Sequence, residues 1–456
     1  MPLNIETVDP DWAWKAYVPD DAQPWSRGRA AHLFRRAGFG GSEPDLTRAV
    51  ADGPRGTVDR LVHPSPASAA ETADAESLGE SALAGGNAKS LEAWWLYRMR
   101  NASDVLLEKM TLFWHGHFAT SADKVTDARL MFEQNELLRR HALGKFGPFV
   151  QEISRDPAML IYLDSATNRK QHPNENYARE VMELFCLGEG EYSETDIREL
   201  ARCFTGWEIK RGKFKFNKYQ HDEGEKTVLG ARKIREGGEG VDVVLSQPAC
   251  PEFLVRKLLR FFVFDDVVPP DALIQPLVEE FRASDLDVRT LLGWVFASNL
   301  FFSPLALSRK VRSPVELGVG LLRGLEATTN LQALAEGTAR VGQELFYPPN
   351  VKGWDGGRTW INSSTLLGRA NLVRQLVHSD KTRFAGGTLE ELVGGWKLKS
   401  SAEIVARWCD LLLAREVATE TLRPVVSRID ESGGTREHRL REALCLLCTI
   451  PEFQLA

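Results

Sequence analysis

The chain has 456 residues, 43% of them hydrophobic and 26% charged, and a formal net charge of -6. That balance is that of a soluble, folded globular protein, and so small a charge without any Lys/Arg run argues against nucleic acid or another polyanion as a partner. No stretch approaches the roughly 20 apolar residues of a membrane-spanning helix. The N-terminal MPLNIETVDPDWAWKAYVPDD has neither a positive n-region nor an apolar h-region, so no membrane span and a cytoplasmic location are expected.

In chain order, Ser26 caps a helix that runs to Ala37, with Gly38 as its stop. Residues 1–63 read as an N-terminal helical segment. Residues 64–90, poor in large apolar side chains and rich in Ala, Ser, Gly and Glu, read as a flexible low-complexity linker. A main helical domain over 91–456 follows, with helical periodicity at about 91–101, 104–116, 127–143, 147–155, 175–187 and 194–205. The last of these has Ser193 as N-cap and Asp196 three residues on, close to a capping box. One island breaks the pattern: KFKFN (213–217) alternates and KTVLG (226–230) is β-prone, so a β-hairpin is expected at about 213–230. Helices resume at about 251–264, 271–283, 287–298, 314–325, 331–337, 363–377, 402–414 and 436–449. The fold class is therefore mainly α, a multi-helix orthogonal bundle with a small inserted β-hairpin. Six cysteines in a chain of this length are no disulfide framework, and Cys445 and Cys448, within ALCLLCTI, read as core residues at i and i+3.

The most informative stretch is NENYAREVMELFCLG (174–188), which sets Arg179, Glu180 and Glu183 on a helix that otherwise reads as buried. Together with HLFRRAGFG (32–40), MTLFWHGHFATS (110–121), ARCFTGW (201–207), HDEGEKTVLG (221–230), SPVEL (313–317) and PPNVKGWDGGRTWINSSTLLGR (348–369), it resembles the bacterial domain-of-unknown-function family number 1800 over nearly the whole chain. The resemblance implies no established activity. It implies a neighbourhood, because genes of the family often sit beside one for an exported protein similar to the sulfatase and alkaline phosphatase class, a candidate partner.

The chemistry is read from the residues. His115 and His117 lie about 200° apart on a helix, so both reach one ion only if the helix ends between them, which Gly116 allows. With Glu180, Glu183, His221 and Asp222 they would suit a divalent metal such as zinc, manganese or iron; otherwise they are core histidines bonded to backbone. Glu180 and Glu183 share a helix face, either as an acid/base pair with separated pKa values or as part of a Glu-Arg-Glu lattice through Arg179. His221, Asp222 and Lys226 sit on the hairpin as cleft groups or as turn chemistry. The Gly-rich loop of 350–362 offers an anion site with Lys352 and Arg358, and Trp354 and Trp360 are either a sugar or peptide platform or core anchors. His32 and Arg36 share one helix face and would add positive charge.

Two functions follow. One is a metal-assisted or carboxylate acid/base hydrolase on an anionic or polymeric substrate, with Glu180, Glu183, His221 and Asp222 catalytic, His115 and His117 on the metal, and His32, Arg36, Arg179, Lys226, Trp354 and Arg358 holding substrate. The other is a non-catalytic binding or maturation partner of the exported sulfatase-like neighbour.

Overall fold

The computed structural model describes residues 4–413 and 415–456. The fold is mainly α, with 23 α-helices and three two-stranded antiparallel ribbons among the described residues. One contiguous apolar cluster runs from Ala13 to Phe453, so the N-terminal segment and the main helical region share a core. None of the described helices is long and apolar enough to cross a membrane.

Helix starts follow local chemistry. Ser26 accepts from the Arg29 N–H and opens Arg27–Ala37, while Ser193 with Asp196 and Ser313 with Glu316 form full capping boxes on Glu194–Cys203 and Pro314–Gly324. Each cap satisfies N–H groups the helix cannot and contributes roughly 1 kcal/mol. The helix Val105–His117 is central: it packs on Arg27–Ala37, Lys89–Asn101 and Ala128–His141, and its C-terminal end points at the site. Pro314–Gly324 connects that half to the C-terminal helices Ser363–His378 and Ser401–Leu412.

Two expectations are corrected. The supposed linker contains the helix Ala69–Ala84, capped by Ser68, with Ala75 and Gly79 buried. Its small residues are the reason: alanine is the best helix former, and the bare surface at Ala75 and Gly79 lets Trp94 donate to the Ala75 carbonyl at 2.9 Å and Phe132 pack beside Gly79. The single hairpin is two: Trp207–Lys210 pairs with Lys213–Phe216, and Lys226–Val228 pairs with Ala231–Ile234. Each closes through a two-residue turn with positive φ at both positions, Arg211-Gly212 (54° and 72°) and Leu229-Gly230 (47° and 81°), the twist that tight antiparallel hairpins need. A third ribbon joins Ala327–Thr328 to Arg383–Phe384.

Candidate functional site

The segment Asn176–Glu180 is α-helical and continues as a π-helical turn, Val181–Cys186, that ends with Leu187 N–H bonded to the Met182 carbonyl at 2.8 Å. A helix end leaves carbonyls without intrahelical donors. Two of them are taken up by side chains: Phe185 O lies 3.0 Å from His117 Nε2, and Leu184 O accepts from Lys257 Nζ at 2.8 Å. Because a carbonyl only accepts, Nε2 of His117 carries the proton. Nδ1 is then a lone pair, and Lys257 Nζ donates to it at 3.2 Å. The imidazole is neutral; burial and the adjacent Lys257 charge hold its pKa well below the ordinary value.

Lys257 and His117 open onto a cavity of about 320 Å³. Its charged lining comes from three places. The helix Ala249–Phe262 and the segment just after it supply Lys257, Arg260 and Asp265, the start of Pro314–Gly324 and the segment before it supply Glu316 and Lys310, and the Gly-rich loop supplies Lys352 and Asp355. Phe113, Phe261, Trp354 and Trp360 form the apolar walls. The loop lies hard against the end of Val105–His117: Gly353 has φ of 76° and no room for a Cβ against the Gly116 carbonyl. That contact sets Trp354 beside the cavity and 5.6 Å, centroid to centroid, from His115.

Beneath the cavity lies a buried ionic lattice. Lys109 donates to Glu316 and, at 2.9 Å, to the Gly38 carbonyl; Lys310 Nζ is 3.6 Å from Asp265 and 4.0 Å from Glu316. Burial would raise the Glu316 carboxyl, but Lys109 and Lys310 outweigh it and hold the pKa near 2. At Lys109 burial prevails, assisted by Lys310 and Arg36, and the pKa is pushed down to about 8. Cations outnumber carboxylates here, which accounts for the opposite outcomes at the two partners. Lys257 differs from both buried lysines: among the described residues no carboxylate oxygen lies within 4.0 Å of it, and burial pushes its pKa down to about 8.

Of the residues singled out in sequence, His117, Lys352, Trp354 and Trp360 line this cavity. His115 does not share a centre with His117: its Nε2 accepts the Phe346 N–H at 3.0 Å, and burial lowers its pKa to about 3. A metal shared by the two would have to displace one of the two hydrogen bonds that engage the His117 ring, to Phe185 or to Lys257. His32 faces the Phe301 carbonyl, and Arg36 donates to the carbonyls of Phe262, Val263 and Ala306; both are fully buried and hold backbone rather than ligand. His221 has ring nitrogens facing the carbonyls of Thr205 and Arg235, Asp222 takes a two-point ion pair from Arg202, and Lys226 donates to the carbonyls of Asp222 and Arg235. These three tie the second hairpin and the segment before it to the end of the helix Glu194–Cys203, and they contribute nothing to the cavity wall. Arg179 makes a two-point pair with Glu194 at 2.9 Å, and Glu183 accepts from Tyr192 Oη at 2.6 Å. Glu180 stands outside the wall; burial first and then Glu183 raise its pKa, against Arg179 and the cavity residue Lys352. Arg358 is 85% exposed and 3.8 Å from Asp266, outside the cavity. The residues that sequence reasoning missed are Lys257, Arg260, Lys310, Glu316 and Asp265. A signal existed for Lys257, which stands between Phe253 and Phe261 at i±4 on an apolar helix and lies 4.7 Å over the Phe253 ring.

A second group of metal-ligand types lies in the C-terminal helices, where atoms of His378, His438 and Glu442 fall within 4.8 Å of one another. Both Glu442 oxygens are already held by Arg374, at 2.8 and 3.2 Å.

No curated protein and no solved structure matches the chain. The model of the family described as "Protein of unknown function (DUF1800)" matches residues 32–455, and the chain belongs to that family.

Proposed function

We propose that this chain is an enzyme that seats an anionic substrate in the cavity between His117, Lys257 and Trp354 and cleaves it by acid/base hydrolysis. One observation carries the reading: of the four cations on the wall, the lattice carboxylates Asp265 and Glu316 neutralise Lys310, while Lys257 is left without a carboxylate. Arg260 donates to the Asp355 carbonyl at 3.0 Å, and Lys352 is 3.8 Å from the exposed Glu189, so both keep charge for a ligand. A low-dielectric recess with unpaired cations favours sulfate, phosphate or carboxylate groups, and the aromatic wall offers a face to a ring or sugar behind them. Arg260 and Lys352 then hold the anion, and Lys257 in its neutral form supplies the proton acceptor, since an amine with a pKa of about 8 is partly neutral near physiological pH. In this reading the carboxylates of the lattice and the Glu180–Glu183 pair support the site and do not perform the chemistry.

The test is a tryptophan fluorescence titration with inorganic sulfate and phosphate, joined to a turnover screen of nitrophenyl phosphate, sulfate and carboxylate esters. Saturable anion binding, with turnover of one ester class that Lys257→Met abolishes, is the expected result. Binding without turnover of any ester would overturn the hydrolase and leave a binding protein, the class to which a partner of the sulfatase-like neighbour belongs. No anion binding would overturn the site itself.

A further inference from the structure

We propose that Lys257 is a covalent capture site for small anionic carbonyl compounds, its amine condensing with an aldehyde or keto group to give an imine. This presupposes the anion-binding cavity proposed above and adds a bond to carbon where that reading has only a proton.

The position of the amine sets it apart. Lys109 and Lys310, the other buried lysines at this cavity, are tied to Glu316 and Asp265, and the exposed Lys352 is near Glu189. Lys257 Nζ has two neutral acceptors, Leu184 O at 2.8 Å and His117 Nδ1 at 3.2 Å, which engage two of its three N–H bonds and fix where the nitrogen sits. Neither acceptor compensates a full positive charge as a carboxylate would, so the protonated form is disfavoured by its surroundings, and its pKa is lowered accordingly. The nitrogen stands on the wall of the cavity, with Arg260 one helical turn away to meet a carboxylate or phosphate on the incoming molecule.

The step balances. The ammonium first releases one proton to solvent. The nitrogen lone pair then bonds the carbonyl carbon, one proton passes from the nitrogen to the oxygen, and the resulting carbinolamine loses its hydroxyl with the second nitrogen proton as water to leave a C=N bond, so that amine and carbonyl become imine and water with no change of oxidation state. His117 is a positioning residue here: its Nδ1 lone pair orients the nitrogen and its Nε2 is anchored on Phe185.

The experiment treats the full-length protein with glyoxylate and borohydride near pH 7.5 and maps the reduced adduct on every lysine by peptide mass spectrometry. Modification of Lys257 at least about tenfold above any other lysine side chain is expected, because its neutral fraction exceeds that of an ordinary lysine by on the order of a hundredfold. Labelling spread across exposed lysines, or centred on Lys310 or Lys352, would overturn the proposal; the measurement needs no variant to fold. Acetaldehyde and competing phosphate separate this claim from the one on which it rests. Preferential capture by Lys257 that acetaldehyde matches and phosphate does not block leaves imine formation at Lys257 standing and overturns the anion cavity together with the preference for anionic carbonyl compounds. Phosphate binding seen by fluorescence without preferential capture at Lys257 does the reverse.

Discussion

His117 and Lys257, from helices far apart in sequence, are joined by a 3.2 Å hydrogen bond in which the lysine donates and the imidazole Nδ1 accepts. Both groups are then secured on consecutive carbonyls of one π-helical turn, Leu184 and Phe185. A π-turn is an uncommon and costly way to end a helix, and such turns recur at functional sites. Here it presents two adjacent carbonyls to two side chains, which ties the most distinctive sequence motif of the chain to the cavity although none of its charged residues enters it.

The first prediction concerns Lys257 and pH. Its folded pKa of about 8 lies below the ordinary 10.5, so between those values the unfolded chain binds more protons than the folded one and stability rises with pH. Below pH 8 both states are protonated and the full penalty of burying the charge is present; above 10.5 it is gone. Replacing Lys257 by Met removes this dependence. The stability difference between parent and Lys257→Met, measured by urea unfolding, should move in favour of the parent by up to about 3 kcal/mol between pH 7 and pH 10.5. A difference that does not change with pH would show that the amine is not held neutral by burial.

The second concerns the lattice beneath the cavity. Glu316→Gln keeps a side chain that can complete the Ser313 capping box, so the substitution isolates the charge. It leaves Lys109 and Lys310 buried without their shared carboxylate, and a stability loss of roughly 3–5 kcal/mol is expected. Lys109→Met in the same chain should recover much of it, and thermal unfolding of the two variants makes the comparison. Because the Glu316 pKa is held near 2, below its ordinary 4.5, its contribution is present above about 4.5 and fades as pH falls toward 2. No recovery in the double variant would mean that shape, not charge, fixes this lattice.

Helices were legible where their ends carry side-chain signals. Ser26 and Ser193 announce helix starts, and apolar spacing outlines 271–283, 314–325 and 363–377 to within a residue or so. The helix Thr419–Asp430 was not, since Pro424 interrupts its pattern and its first turn has no side-chain cap. The strand Lys213–Phe216 was legible from its alternation, but not its partner, because Arg211-Gly212 is an unusual sequence for a tight turn. The site was the least legible part. Charged residues in apolar helices drew notice, yet His32 and Arg36 are held by backbone carbonyls of distant segments, and His221 and Lys226 by carbonyls that only the folded ribbon brings to them, which no local spacing reveals. Lys257 and Lys310, by contrast, sit in ordinary amphipathic or loop sequence and become a site only when the π-turn and the Gly-rich loop close around them.

The third prediction separates the hairpins from the cavity. Asp222 holds Arg202 through both carboxylate oxygens, and that hydrogen bonding keeps its pKa below the ordinary range. Asp222→Asn should loosen the 207–234 ribbons and lower thermal stability by about 1–3 kcal/mol, since a charge-assisted pair is lost in a partly buried setting. Sulfate affinity, read by tryptophan fluorescence, should be unchanged, because no residue of 207–234 lines the cavity. A parallel loss of affinity would place the hairpins in the working site after all.

The fourth tests whether the Gly-rich loop positions the cavity wall. Gly353 combines a φ of 76° with a contact in which an added Cβ would collide with the Gly116 carbonyl, backbone against backbone, so neither side can yield cheaply. Gly353→Ala should therefore cost about 1–3 kcal/mol and push the loop away from the end of Val105–His117. Trp354 moves with the loop, so the fluorescence response to sulfate should shrink and the affinity fall together. Gly394→Ala is the matched control: it lies in the helix Leu389–Gly395 with nothing within 4 Å of an added Cβ, and alanine there should stabilise by about 0.5–1 kcal/mol. If Gly353→Ala lost stability yet kept its sulfate response, the loop would be a structural clamp and Trp354 no part of the ligand wall; if it lost neither, the close approach to Gly116 would be relieved by a small shift that leaves the cavity intact.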